Sequence, residues 1–124
     1  MKVLLSIKPE FAEKILLGEK HFEFRKALPK ASGVKTALIY ATKPVGKVVG
    51  EFDIDGFISE SPRKLWSRTK GFSGITKRFF NEYFAGREVA HAIKVKDARR
   101  YEKPLELPSV LESGVAPQSF CYVS

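Results

Sequence analysis

The spacing of hydrophobic positions changes period several times along the chain, and each change predicts an element. Residues 3–7 (VLLSI) are a short continuous apolar run, the mark of a buried strand. Pro9 then suits the first residue of a helix, where its missing N–H costs nothing. Phe11, Ala12, Ile15 and Leu16 make the apolar stripe of that helix, and Gly18 is its stop. Residues 20–26 (KHFEFRK) alternate, with Phe22 and Phe24 on one face and His21, Glu23 and Arg25 on the other. Residues 36–42 (TALIYAT) and 47–59 (KVVGEFDIDGFIS) read as strands; in the second, Val48, Phe52, Ile54 and Ile58 share one parity. Gly50 and Gly56 mark places where it can bend.

The middle of the chain is helical in pattern. Ser61-Pro62 is a cap followed by a first-turn proline, opening a helix through Leu65 and Trp66 that ends near Gly71. A second helix runs from Ile75 to Gly86, with Ile75, Phe79, Phe80, Tyr83 and Phe84 as its stripe. Alternation returns over residues 87–101, where Val89, His91, Ile93 and Val95 share a face, and QSFCYVS predicts a last strand. Strands predominate, and helices do not alternate with them one for one. The fold class is therefore α+β: a mixed or antiparallel sheet, a small barrel, with flanking helices. No repeat, low-complexity tract or Gly/Ser linker divides it, so residues 1–124 read as one domain.

Charge sharpens the reading. Lys and Arg number 22 against 14 Asp and Glu, a formal charge of +8 on 124 residues. Such an excess on a small body points to an anionic partner, nucleic acid first. One cysteine, Cys121, excludes an intramolecular disulfide framework, and with two histidines no metal or cofactor site is implied. The opening MKVLLSIKPEF is too short for a membrane span and lacks a signal-peptide layout, so a cytoplasmic protein with no membrane partner is expected.

Two constellations carry chemistry. In Gly18-Glu19-Lys20-His21-Phe22-Glu23-Phe24-Arg25, a period of two puts Glu23 and Arg25 on one face. They would offer a fixed acceptor and a fixed planar donor, facing a cleft or water, suited to a base edge or a phosphate; the bland alternative is an exposed salt bridge. The second is basic: residues 61–80 hold Arg63, Lys64, Arg68, Lys70, Lys77 and Arg78 and no acid, so this segment carries +6 and the rest of the chain +2. Arg63, Lys64, Arg68 and Lys70 are the candidate phosphate contacts, against the alternative of a solvated helical face. A helix-turn-helix reading is weaker, because the second helix turns most of its positions to the core. Lys8 and Lys43, at strand ends, are further candidates, with Thr42, Lys47, Gln118 and Ser119 near them. Tyr40, Trp66, Phe72, Tyr101 and Tyr122 are possible stacking rings, each more simply read as packing. His91 on an apolar strand face reads as a structural histidine.

Gly18, Lys20, Glu23 and Arg25 match the G-x-K-x-x-E-x-R motif, and here the sequence resembles the ASCH domain family of the PUA-like superfamily. LSIKPEFAEKILLGEK, YATKPVGKVVGEF, the LW…T…GIT…FF…YF pair and PQSFCYV are similar to members of this family along essentially the whole chain. The resemblance implies a small β-barrel with flanking helices and a cleft lined by Lys20, Glu23 and Arg25. It also implies RNA binding, RNA more than DNA, with a regulatory role in transcription or translation. An enzymatic branch of the superfamily hydrolyses acetylated cytidine with the motif's lysine, a threonine three residues on and a glutamate near the helical segment. Lys20 matches that lysine, but Glu23 stands at the threonine position and Gly71-Phe72-Ser73-Gly74 offers no acid. Ribonuclease activity is also described within the family; this chain has no obvious His pair or acidic cluster for it. The rival to a binding domain is thus a hydrolase of a modified nucleoside or RNA, with Lys20 and Glu23 as its catalytic groups.

Overall fold

A computed structural model describes residues 1–124. Its elements follow in the order β1 (Lys2–Ile7), α1 (Pro9–Leu16), β2 (Phe22–Arg25), β3 (Thr36–Ala41), β4 (Lys47–Glu60), α2 (Pro62–Thr69), α3 (Lys77–Tyr83), β5 (Ala90–Leu105) and β6 (Phe120–Val123). Single 3₁₀ turns lie at Lys70–Phe72 and Leu107–Ser109. The six strands form one mixed sheet in the order β2-β5-β4-β3-β1-β6. Only β1 and β3 are parallel. Both bury residues on either face, which is why VLLSI and ALIYA are unbroken apolar runs rather than alternating ones.

The α+β class and flanking helices agree with expectation. The sheet is not closed into a barrel by backbone pairing: β2 and β6 are its two edges. What joins those edges is a side chain. The Arg25 guanidinium on β2 donates to the Ser119 carbonyl beside β6 at 2.8 Å and to Ser119 Oγ at 2.6 Å.

Three apolar cores pack on the sheet. One lies under α1, with Val3, Leu5, Ile7, Ile15, Ile39, Phe52 and Ile93. A second lies under α2 and α3, with Phe24, Ile58, Leu65, Phe80 and Phe84. The third lies under the 107–116 segment, with Leu4, Leu38, Tyr40, Val48 and Leu107. Gly50 is required where β4 passes under α1: a Cβ there would collide with the Arg99 carbonyl and come within 2.8 Å of Leu16.

The observed ends differ from the sequence reading in two places. The second helix of the pair begins at Lys77, because Thr76 caps it by accepting from the Phe79 N–H at 3.0 Å. The strand after it begins at Ala90, leaving Val89 exposed; of the face shared by Val89, His91, Ile93 and Val95 it is Ile93 that is fully buried, in the first core, while Ala90 and Ala92 are buried on the other face, in the second.

Candidate functional site

The α1 C-terminus sets up the site. The Glu19 and Lys20 N–H groups both return to the Lys14 carbonyl, at 2.9 and 3.1 Å, and Gly18 takes φ +80° to make the turn. This turns the Lys20 side chain inward, where it is 1% exposed. Its Nζ donates to the Ser73 carbonyl at 2.6 Å and lies over the rings of Phe24 (4.7 Å) and Phe11 (5.3 Å). The 72–74 segment is held against the turn by further bonds: the His21 N–H donates to the Phe72 carbonyl at 2.9 Å, and Lys14 Nζ to the Gly74 carbonyl at 3.1 Å. The His21 and Phe72 rings stack at 4.3 Å. Burial lowers the Lys20 ammonium to about 8, with Lys14 adding to the fall and the Glu23 carboxylate opposing it.

Glu23 and Arg25 are buried, each 6% exposed, and form an ion pair at 3.0 Å. The expectation of a face toward cleft or water therefore resolves to an enclosed cleft wall, and the exposed salt bridge is set aside. Arg25 also donates to the Ser6 carbonyl at 3.2 Å, so with Ser119 its guanidinium is fixed from three sides. Its Nε alone is buried without a partner. A pair enclosed this way is a poor stabiliser but a rigid one: removing either partner would strand the other charge.

These residues line one cleft of about 750 Å³, the size of an ordinary small-ligand site. Its floor holds Lys20, Glu23 and Arg25; Ser6, Thr42, Gln118 and Ser119 supply polar rim groups; Phe11, Ile75, Phe79 and Tyr83 form the apolar wall. Lys8 and Lys26 stand at its edge. Four cations against one carboxylate give it a positive field. Burial raises the Tyr83 phenol above its usual range.

The sequence candidates thus divide. Lys8, Lys20, Glu23 and Arg25 meet in the cleft. Lys43 does not line it, although its neighbour Thr42 does. Arg63, Lys64, Arg68 and Lys70 are exposed on α2 and the turn after it, away from the cleft lining, with Arg68 drawn to Glu60 at 3.9 Å. Trp66 packs on Phe80, and Tyr101 packs against the third core with its hydroxyl donated to Glu51; neither lines the cleft. His91 pairs with Ser59 at 2.7 Å across the β4–β5 ladder, a structural role. Sequence reasoning missed Ser6, Lys26, and the cleft-facing half of the α3 stripe. The i, i+4 spacing of Phe79 and Tyr83 was visible, but not which core their face would leave.

No three His, Cys, Asp or Glu side chains approach closely enough to hold a metal ion, and no helix is long and apolar enough to cross a membrane.

The ASCH domain family model matches residues 5–99. An ASCH domain-containing ribonuclease of Zymomonas mobilis is 31% identical over 111 residues, which cover 90% of this chain and 74% of that protein. ATP synthase subunit alpha of Ureaplasma parvum is 34% identical over 122 residues; these are 98% of this chain but only 15% of that subunit's length. The crystal structure of ASCH from Zymomonas mobilis superposes with a TM-score of 0.91 at 28% identity, covering 99% of this chain and 87% of that one.

Proposed function

The chain belongs to the ASCH domain family, and from that premise we propose that residues 1–124 form one ASCH/PUA-like domain that binds RNA in the Lys20–Glu23–Arg25 cleft. On this reading the mixed sheet is the PUA-like barrel, its open seam bridged by Arg25. Lys20 donates to a nucleotide and Glu23 accepts from it, while Arg25, whose Nη hydrogens are committed to Glu23, Ser6 and Ser119, orients Glu23 and adds its charge to the site. Lys8 adds a charge at the mouth, and Lys43 one beside Thr42. Arg63, Lys64, Arg68 and Lys70 hold backbone phosphates outside the cleft. The named activity of the Zymomonas relative favours RNA over DNA.

The observation that carries the proposal is the enclosed, positive floor: Lys20 almost fully buried beside an oriented Glu23–Arg25 pair. A buried charge constellation costs stability, so its presence at the bottom of an open cleft favours a ligand role over a structural one. Fluorescence anisotropy with labelled RNA, repeated over a salt series, tests it. Wild-type protein is expected to bind, and Lys20→Met, shown folded by circular dichroism, to lose at least ten-fold in affinity. Absence of RNA binding at low salt, or an unaltered Lys20→Met, overturns it.

One observation favours a hydrolase as the second reading. An amine at about 8 next to a carboxylate can exchange a proton near neutral pH. Turnover of RNA or a modified nucleoside should then rise with pH through about 8 and vanish in Lys20→Met. A panel of RNAs and acylated nucleosides yielding no product would remove it.

A further inference from the structure

The α3 wall of the cleft has its own pattern. Phe79 and Tyr83 are one helical turn apart, and their rings are nearly parallel, 12° between planes with centroids 6.3 Å apart. Each ring carries a lysine from a different element. Lys8, at the start of α1, places Nζ 4.9 Å from the Phe79 centroid. Lys26, just after β2, places Nζ 4.7 Å from the Tyr83 centroid. Neither lysine is in an ion pair. Both rings and both lysines line the cleft. Phe80 and Phe84 are buried in the second core, whereas Phe79, edge-on to Phe11, and Tyr83, edge-on to Phe84, are only half-buried and keep surface open to the cleft.

We infer that Phe79 and Tyr83 form a two-step stacking platform for consecutive unpaired bases of a single-stranded RNA, with Lys8 and Lys26 as the clamps for their phosphates. The inference rests on the RNA reading above and specifies the form of RNA and the number of bases. A lysine over a ring is a mobile cation on a flat apolar face. An incoming nucleotide offers a better partner for both: its base stacks on the ring, and its phosphate takes the displaced ammonium. Successive bases in a regular strand are about 3.4 Å apart. The rings are spaced at 6.3 Å, so bases lying on both must be unstacked from one another, an extended single strand. Bases in a duplex are paired and stacked, and their faces are out of reach.

The test compares a labelled RNA hexanucleotide with a hairpin duplex, using the full chain and the variants Phe79→Ala, Tyr83→Ala, Phe79→Tyr and Tyr83→Phe. The expected result is preference for the single strand, a loss of about 10- to 100-fold for each alanine variant, and near-complete recovery with the aromatic replacements. Lys8→Gln and Lys26→Gln should each flatten the salt dependence without removing binding. Folding of the alanine variants is checked by circular dichroism, and the aromatic pair reports on the ring even where an alanine variant is unstable. Failure of the wild-type chain to bind any RNA overturns the RNA reading together with this one. Binding that persists unchanged without the rings, or that favours duplex equally, overturns the platform alone.

Discussion

Lys20 is the residue on which the site turns, and its burial has a consequence for stability. Its ammonium ionises near 10.5 when exposed and at about 8 in the fold. Between those values the unfolded chain binds the extra proton, so stability rises with pH over that window. The full shift corresponds to on the order of 3 kcal/mol. Tyrosines begin to ionise in the unfolded chain near the top of that window, and Tyr83 resists doing so in the fold, so the gain is clearest between about 8 and 10. Denaturant melts of wild type against Lys20→Met should diverge over that range and run parallel below it; parallel curves throughout would show that Lys20 is not held by burial. The residue that encloses it gives a second expectation. Gly74 has φ +70°, and a Cβ there would come 2.5 Å from Lys20 Cγ. Gly74→Ala should therefore cost about 1–3 kcal/mol and disturb the cleft floor, from the strained backbone and the clash together. Gly71→Ala, three residues away with nothing within 4 Å, should be close to neutral in the same melt. The motif itself was legible in the sequence, but its enclosure was not. The groups that enclose it, Ser6, Ser73 and Ser119, come from distant stretches of chain with no local mark.

Among the elements, the strands show where periodicity stops being sufficient. Val48, Phe52 and Ile58 share a parity in β4, yet they enter three different cores. The ladder to β5 slips between Val48 and Gly50, between Glu51 and Asp53, and between Ile54 and Phe57, and each slip re-aims the side chains after it. A period-of-two reading carries no record of a bulge, although Gly50 and Gly56 marked the bends correctly. Helix α3 shows the same limit in another form. The five apolar positions from Ile75 to Phe84 read as one stripe, but Phe80 and Phe84 are buried in the core, whereas Ile75 and Tyr83 pack on its edge and, with Phe79, also line the cleft. The two faces should separate cleanly on substitution. Phe80→Ala, in a fully buried position against Phe24, Trp66 and Phe84, should destabilise by about 3–5 kcal/mol. Phe79→Ala, half-buried on the cleft wall, should cost clearly less while weakening RNA binding more. Equal losses of stability would mean that Phe79 is core after all.

For the whole molecule, the +8 total overstates what is free to meet a polyanion. Arg99 and Arg100 are engaged by Glu51, Asp53 and Glu13. Even the acid-free stretch 61–80 is partly answered from just outside it, Arg68 by Glu60 and Arg78 by Glu82. Arg63, Lys64, Lys70 and Lys77 are left there without an ion pair, and the cleft holds a separate excess of cations. Two positive regions in different places make different predictions. Cations that contact phosphate release counterions, so each contact adds about 0.7 to the slope of log affinity against log salt for a single strand. Neutralising Arg63 and Lys64 together, as Gln, should flatten the slope by about 1.4 if both grip the backbone. Affinity should fall at low salt and converge with wild type at high salt, because the cleft contacts are untouched. Arg78→Gln, whose charge is already balanced by Glu82 in the next turn, should leave the slope nearly as it was. An unchanged slope in the double variant would confine RNA to the cleft and make the basic face of α2 a solvated surface. A drop in affinity that is uniform across salt would instead assign those two side chains to packing rather than to phosphate.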